Sequence, residues 1–262
     1  MFTQKRNLAL VLSGGSARGL AHIGILEILE EHHVPIDTIV GTSMGAIIGG
    51  LYAAGTLKEF KQDILKISHS KLMSLFLSHK IRGGNTTTAE IESFLKKYTK
   101  NKKIEKLDLS FTAVATDLNT GKEVFIDQGS LIKALLGSIS IPGIFPPVKY
   151  QKKLLVDGGV VDPLPQHYGE LIAKKVIAIN AMPAHYKYKK TSDVFDVISE
   201  AVGIMTSELI ALKSRESVES VFIQLDTENI DSFDFSRAQE IIEKGRKAAQ
   251  QNIDKIIKLV QV

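Results

Sequence analysis

Eighteen residues, Asp37 to Ala54, constrain this chain more than any others. Asp37-Thr38-Ile39-Val40 is a short β-branched segment. It runs into Gly41-Thr42-Ser43-Met44-Gly45, and Ala46–Ala54 leaves as an uncharged, helix-length run. This order predicts strand, sharp turn and helix, with a serine at the tip, which is the setting a Gly-x-Ser-x-Gly nucleophile elbow needs. Gly41 and Gly45 flank the serine two residues to either side, where a Cβ would crowd so tight a turn. The helix behind it brings its positive end and unpaired N–H groups under the hydroxyl. The pentapeptide alone is a weak signal, since a glycine-rich turn before a buried helix has the same letters.

The rest of the chain supplies context. Asn7–Leu12 reads as a strand ending in the turn Ser13-Gly14-Gly15-Ser16, followed by a helix over Leu20–Glu31. Ile36–Val40 is the second strand and Lys58–Ile67 a further helix. Leu109–Thr116, Glu123–Ile126, Lys153–Val156, Val176–Asn180 and Val218–Leu225 read as strands. Ser130–Gly137, Val194–Lys213 and Arg237–Leu259 read as helices, and Thr87-x-x-Glu90 as the capping box of another through about Tyr98. Ile139–Val148, with Pro142, Pro146 and Pro147, reads as a fixed loop. Strands alternating with helices predict an α/β domain on a largely parallel sheet. At 262 residues the chain is expected to form a single domain, with its motifs between about 7 and 180 and a helix-rich part from about 190 to 262.

Composition narrows the chemistry. Cysteine is absent, which excludes thiol nucleophiles, disulfides and Cys-based zinc sites. The seven histidines show no tight ligand spacing, so no metal is expected. Net charge is +4, with lysines gathered at 96–106, 149–153 and 187–190, a pattern of solvated faces that also allows weak attraction to an anionic membrane surface. No nucleic-acid-binding motif accompanies them. Leu8–Leu12 is too short an apolar core for a signal peptide. Thr38–Leu57 lacks charge over 20 residues but holds five glycines and a strand-like first half, so no transmembrane helix is expected. Together these point to a cytoplasmic protein, peripheral on membranes at most.

A serine hydroxyl needs a base, and the oxyanion it creates needs donors. Three segments at the C-terminal ends of predicted strands offer these parts, where open α/β sheets collect their sites. Ser43 is the candidate nucleophile. Gly14-Gly15-Ser16-Ala17-Arg18-Gly19 is a glycine-rich turn whose N–H groups can face an anion. Asp157-Gly158-Gly159 follows Leu154-Leu155-Val156 and sets a carboxylate at a strand end. Taken alone, Asp157 is a turn aspartate and Arg18 a structural cation.

The combination of Leu12–Gly19, Gly41–Gly45 and Asp157–Gly159 resembles the bacterial patatin-like phospholipases. Further agreement lies in His22-Ile23-Gly24, in Ala115–Leu118 with Thr120-Gly121, and in Ser140-x-Pro142-Gly143-x-Phe145-Pro146-Pro147-Val148. The resemblance covers roughly Leu8 to Asn180. It implies a three-layer α/β/α fold with a mainly parallel central sheet, hydrolysis of lipid acyl esters, no cofactor, and a Ser43–Asp157 dyad without a catalytic histidine. It makes Gly14, Gly15 and Ser16, joined by Met44, the oxyanion donors, with Arg18, Gly41, Gly45, Gly158 and Gly159 in support. Ser16 departs from the family's usual third glycine, and serine is strained there if the position requires positive φ.

Competing readings differ in their parts. A Ser-His-Asp esterase or thioesterase would draw its histidine from His167 or His185. A non-catalytic lipid- or partner-binding protein would need neither Ser43 nor Asp157, and an acyltransferase would share both. Asp117 and Asp162 read as turn-fixing residues and His22 as a core histidine. The apolar stretch Lys71–Leu77 is expected to flank the mouth of the site and touch acyl chains or a membrane.

Overall fold

The computed structural model describes residues 5–67, 71, 89–184, 194–214 and 219–261. In chain order the elements are β1 (Arg6–Leu12), α1 (Ala21–Glu31), β2 (Thr38–Thr42), α2 (Met44–Ala53), α3 (Leu57–Lys66), α4 (Ala89–Thr99), β3 (Ser110–Asp117), β4 (Lys122–Ile126), α5 (Leu131–Ser138), β5 (Val148–Tyr150), β6 (Lys153–Asp157), α6 (Gln166–Ile172), β7 (Ala173–Asn180), α7 (Val194–Lys213), β8 (Ser220–Gln224) and α8 (Ala238–Gln261). The stretch Leu72–Leu77, expected to border the site, lies outside the described residues, as do His185 and the lysines at 187–190.

The strands form one sheet in the order β5-β6-β3-β2-β1-β7-β8, with β4 on β3. From β3 to β8 the pairings are parallel, and the antiparallel strands β4, β5 and β6 gather at the β3 end. β1 shows why the sheet is covered on both sides. Leu8, Leu10 and Leu12 join the large core with α1, α2 and α8, whereas Ala9 and Val11 join a smaller one with Ile172 of α6 and Ile210 of α7. Side chains alternate across a strand, so a strand apolar at every position must be buried on both faces. The architecture is therefore three-layered, with unequal outer layers.

The chain proceeds from β1 to β2 on one side, and β7 later joins the other edge of β1. The sheet thus reverses its winding at β1, the point where open α/β sheets leave a crevice at their carboxyl ends. Two elements were not anticipated. α6 is seven residues long and contains Gly169, too short and too glycine-weakened for a periodic signal. β5 is a three-residue edge strand held by its hairpin with β6, with Gln151 at φ 53° in the turn.

Candidate active site

The register of β3 brings the two ends of the site together. Ser110–Val114 pairs with β2 and Ala115–Asp117 with β6, while β4 holds the opposite edge along Ala113–Asp117. β2 and β6 therefore share one edge of β3 and approach each other head-on. Thr42 ends β2 opposite Val114, and Asp157 ends β6 opposite Ala115. The next residue after Thr42 is Ser43, so hydrogen-bond register alone places the serine beside the carboxylate.

Ser43 stands at φ 55°, ψ −122°, a conformation costly for a residue with a Cβ. Its N–H donates to Ser138 Oγ at 2.9 Å, and Ser138 Oγ donates to Val114 O at 2.6 Å. Those bonds pin the elbow to β3. The flanking glycines meet backbone: a Cβ on Gly41 would lie 2.4 Å from Gly45 O, and one on Gly45 would lie 2.4 Å from Leu12 O. The elbow can sit this close to the end of β1 only with glycine at both positions.

Ser43 Oγ donates to Asp157 Oδ2 at 2.6 Å, and Asp157 Oδ1 accepts the Gly159 N–H at 2.7 Å. The carboxylate's backbone is held on both sides: its N–H donates to Ser140 O at 2.9 Å and its C=O accepts from Thr116 Oγ1 at 3.0 Å. Both Ser43 and Asp157 are buried. Burial pushes the Asp157 carboxyl up to about 6, against the opposing pull of the hydrogen bonds from Ser43 and Gly159. Gly158 packs directly on the Val114 backbone, which lets the chain turn away immediately behind the carboxylate.

The glycine-rich loop refines the expected donor set. The Gly14 N–H donates to Pro163 O at 3.0 Å, so it is committed to the protein, and the loop's remaining candidates are Gly15 and Ser16. Gly15 adopts φ 144° and Ser16 φ 49°. The departure from glycine at position 16 thus falls where a side chain is strained. Met44 is the first residue of α2, in the turn whose N–H groups lack intrahelical acceptors. Arg18 is buried and donates to Ile230 O at 2.8 Å and to Ser232 Oγ at 2.9 Å, while Ala17 N–H donates to Ser232 O at 2.9 Å. Arg18 therefore ties the loop to the 230–232 segment. His22 lies under the same loop, fully buried, its Nε2 donating to Ser13 O at 2.9 Å. Burial lowers its pKa to about 4, so the ring is neutral.

A cleft of about 150 Å³ opens over Ser43, Asp157 and the loop. Its walls are largely apolar: Ile141, Ile144, Val160, Met182, Ile198 and Val202. The last two belong to α7, which bridges the carboxyl ends of the strands.

His167 faces another carboxylate. Its Nδ1 lies 3.4 Å from Asp162 Oδ2 and its Nε2 3.4 Å from Glu123 Oε2. Glu123, Asp162 and His167 bring ligand-type atoms within 4.8 Å of one another. The Lys213 ammonium already serves this cluster, 2.8 Å from Glu123 Oε1, 2.8 Å from Val161 O and 3.8 Å from Asp162 Oδ1. Asp162 O in turn accepts from Thr42 Oγ1 at 2.9 Å. The cluster thus fastens the end of α7 and the Asp157–Asp162 loop to the elbow. Asp117 caps its own turn, accepting from Asn119 N–H at 3.2 Å and Thr120 Oγ1 at 3.1 Å. Ser138, Pro163 and Lys213 gave no local sign of these roles; each acts through a contact distant in sequence.

Fold and site together define an α/β protein with an elbow serine held against a buried carboxylate at a sheet's switch point. The chain belongs to the patatin-like phospholipase family, whose family model matches residues 10–169. It is 39% identical over 158 residues to an uncharacterized NTE family protein of Mycobacterium tuberculosis, covering 60% of this chain and 44% of that one. It is 26% identical to lysophospholipase NTE1 of Mycosarcoma maydis, over 95% of this chain and 15% of the relative. The chain thus spans less than half the length of these curated relatives. Among solved structures, VipD from Legionella pneumophila shares the fold with a TM-score of 0.50 at 14% identity, covering 97% of this chain and 67% of VipD.

Proposed function

We propose that this protein is a serine acyl-hydrolase of lipid esters, of the phospholipase A or lysophospholipase kind, working through a Ser43–Asp157 dyad. The observation that carries this is the 2.6 Å hydrogen bond from Ser43 Oγ to Asp157 Oδ2 on a strained elbow. Membership of the patatin-like phospholipase family and similarity to a lysophospholipase support the substrate class. The apolar cleft suits an acyl chain.

In this reading Ser43 Oγ attacks the ester carbonyl and its proton passes to Asp157 Oδ2. The Gly15, Ser16 and Met44 N–H groups hold the resulting oxyanion. Collapse of the intermediate breaks the ester C–O bond, and the leaving alcohol takes the proton back from Asp157. Asp157 then accepts a proton from water, the hydroxide attacks the acyl-enzyme, and Ser43 leaves carrying that proton. A carboxyl raised to about 6 is a better base than an ordinary aspartate yet stays ionised at neutral pH. The Ser-His-Asp alternative is less well supported, because His167 pairs with Asp162 and Glu123. No helix among the described residues is long and apolar enough to cross a membrane.

The test is turnover of a phospholipid and a lysophospholipid. Ser43→Ala should lose roughly a thousandfold or more in kcat, and Asp157→Asn roughly a hundredfold or more. His167→Ala should retain the wild-type kcat. Activity persisting in Ser43→Ala would end this reading.

A further inference from the structure

We infer that the outward face of α7 is a lipid-docking surface that seats the mouth of the cleft on a bilayer, an inference that rests on the lipid-ester reading above. A helix turns 100° per residue. On that wheel Val197, Ile198, Ala201, Ile204, Met205, Glu208 and Leu212 fall within about 120° of one another, and each is exposed. Gly203 and Ile210 fall on the opposite side and are buried.

The outward arc is apolar where a solvated helix should be polar. Val197 is 53% exposed, Ile204 46%, Met205 57% and Leu212 78%. Among the described residues, nine large apolar side chains are exposed, and five of them lie on this one helix. A sixth, Val160, stands on the cleft wall beside Asp157-Gly158-Gly159. Scattered exposed apolar residues need no explanation, but concentration around one opening does.

Continuity with the cleft decides among occupants. Ile198 and Val160 are both exposed and part of the cleft lining, so the apolar face reaches the mouth of the proposed acyl site. A lipid drawn along that path exchanges one apolar surface for another and never exposes its chain to water. A second copy of the chain seated there would instead cover the opening. Glu208 alone puts a carboxylate within the arc, which sets the helix at headgroup depth rather than in the acyl core. α7 is also held firmly enough to act as a fixed platform. Ser207 Oγ donates to Pro183 O at 3.1 Å, Ile210 is buried, and Lys213 is tied at the far end.

The experiment is flotation with vesicles of phosphatidylcholine and phosphatidylglycerol, using inert Ser43→Ala protein, with and without Ile204→Asp plus Met205→Asp. The parent should co-float, and the double variant should bind about tenfold more weakly or worse, the equivalent of keeping one half-exposed apolar side chain out of the interface. In an otherwise wild-type background the double variant should lose activity on vesicle lipid yet keep its kcat/KM on a water-soluble short-chain ester. Equal flotation of both proteins would overturn the docking surface. So would failure of the parent to bind, or a parent dimer that the variant dissolves. Because flotation is read in an inert protein, absence of hydrolysis with binding intact would count against the proposed activity and not against the surface.

Discussion

Ser43 and Asp157 each sit where an unconstrained protein would not put them. Ser43 holds positive φ, and Asp157 keeps a carboxylate out of water. Their cost makes stability predictions with a definite sign. The Asp157 carboxyl titrates near 6 in the folded chain against an ordinary 3.8. Between those values only the native state holds the proton, so stability falls as pH rises from about 4 to about 6 and stays lower above. Asp157→Asn is therefore expected to be more stable than wild type at pH 7, by up to about 3 kcal/mol. The gain should fade as the pH is lowered toward 4; denaturant unfolding across that range is the check. Ser16 carries a related strain at φ 49°. Ser16→Gly should raise stability by up to about 1 kcal/mol and leave the backbone donor, and so kcat, in place, since relief of the left-handed conformation outweighs the added freedom of the unfolded chain. Melting curves and a soluble-ester assay would decide it.

At the scale of elements, the site is an accident of register made permanent by side-chain bonds. β2 and β6 meet on one edge of β3, and Ser138, Ser140 and Thr116 hold their ends there. Lys213 reaches from α7 into the pair Glu123 and Asp162. Removing it by Lys213→Met leaves a buried carboxylate facing another carboxylate, with His167 beside them. The expected loss is about 1–3 kcal/mol at pH 8, where the Asp162 carboxyl is charged. It should shrink near pH 5, because burial raises the Asp162 carboxyl to about 6 and it is then largely protonated. An undiminished loss at pH 5 would mean Lys213 acts by packing alone. This layer was the least legible from sequence. The strand ends were readable because each carries a local signature: Gly14-Gly15 after β1, Gly41-x-Ser43-x-Gly45 after β2, Asp157-Gly158-Gly159 after β6. The ties between them were not, since Ser138 to Val114 or Thr42 to Asp162 depends on which strands become neighbours. The same limit applies to the glycine-rich loop, where the family resemblance named Gly14 as a donor and the structure commits its N–H to Pro163 O.

For the whole molecule, the sheet's reversal at β1 gathers four strand ends under α7, and α7 faces both the cleft and the outside. Alternating strands and helices made the α/β class and its largely parallel sheet legible, whereas the three layers were what the family resemblance implied. The role of α7 was not readable in the same way. Its sequence mixes apolar residues with Ser199, Thr206, Ser207 and Glu208, and only the packed structure shows that the more apolar face is the one left outside. In the proposed reading acyl hydrolysis and surface docking meet on one helix, which predicts a larger penalty on vesicle lipid than on soluble ester when the outward face is charged.

The measurement that tests the central claim most directly is labelling with a fluorophosphonate ester across pH, with the adduct located by peptide mass spectrometry. A Ser43–Asp157 dyad predicts one adduct, on Ser43, with a rate that climbs as pH rises through about 6 and then levels, as the Asp157 carboxyl loses its proton. His167→Ala should label like wild type and Asp157→Asn roughly a hundredfold more slowly or worse. Labelling at an undiminished rate in Asp157→Asn, or labelling that vanishes with His167→Ala, would contradict the dyad.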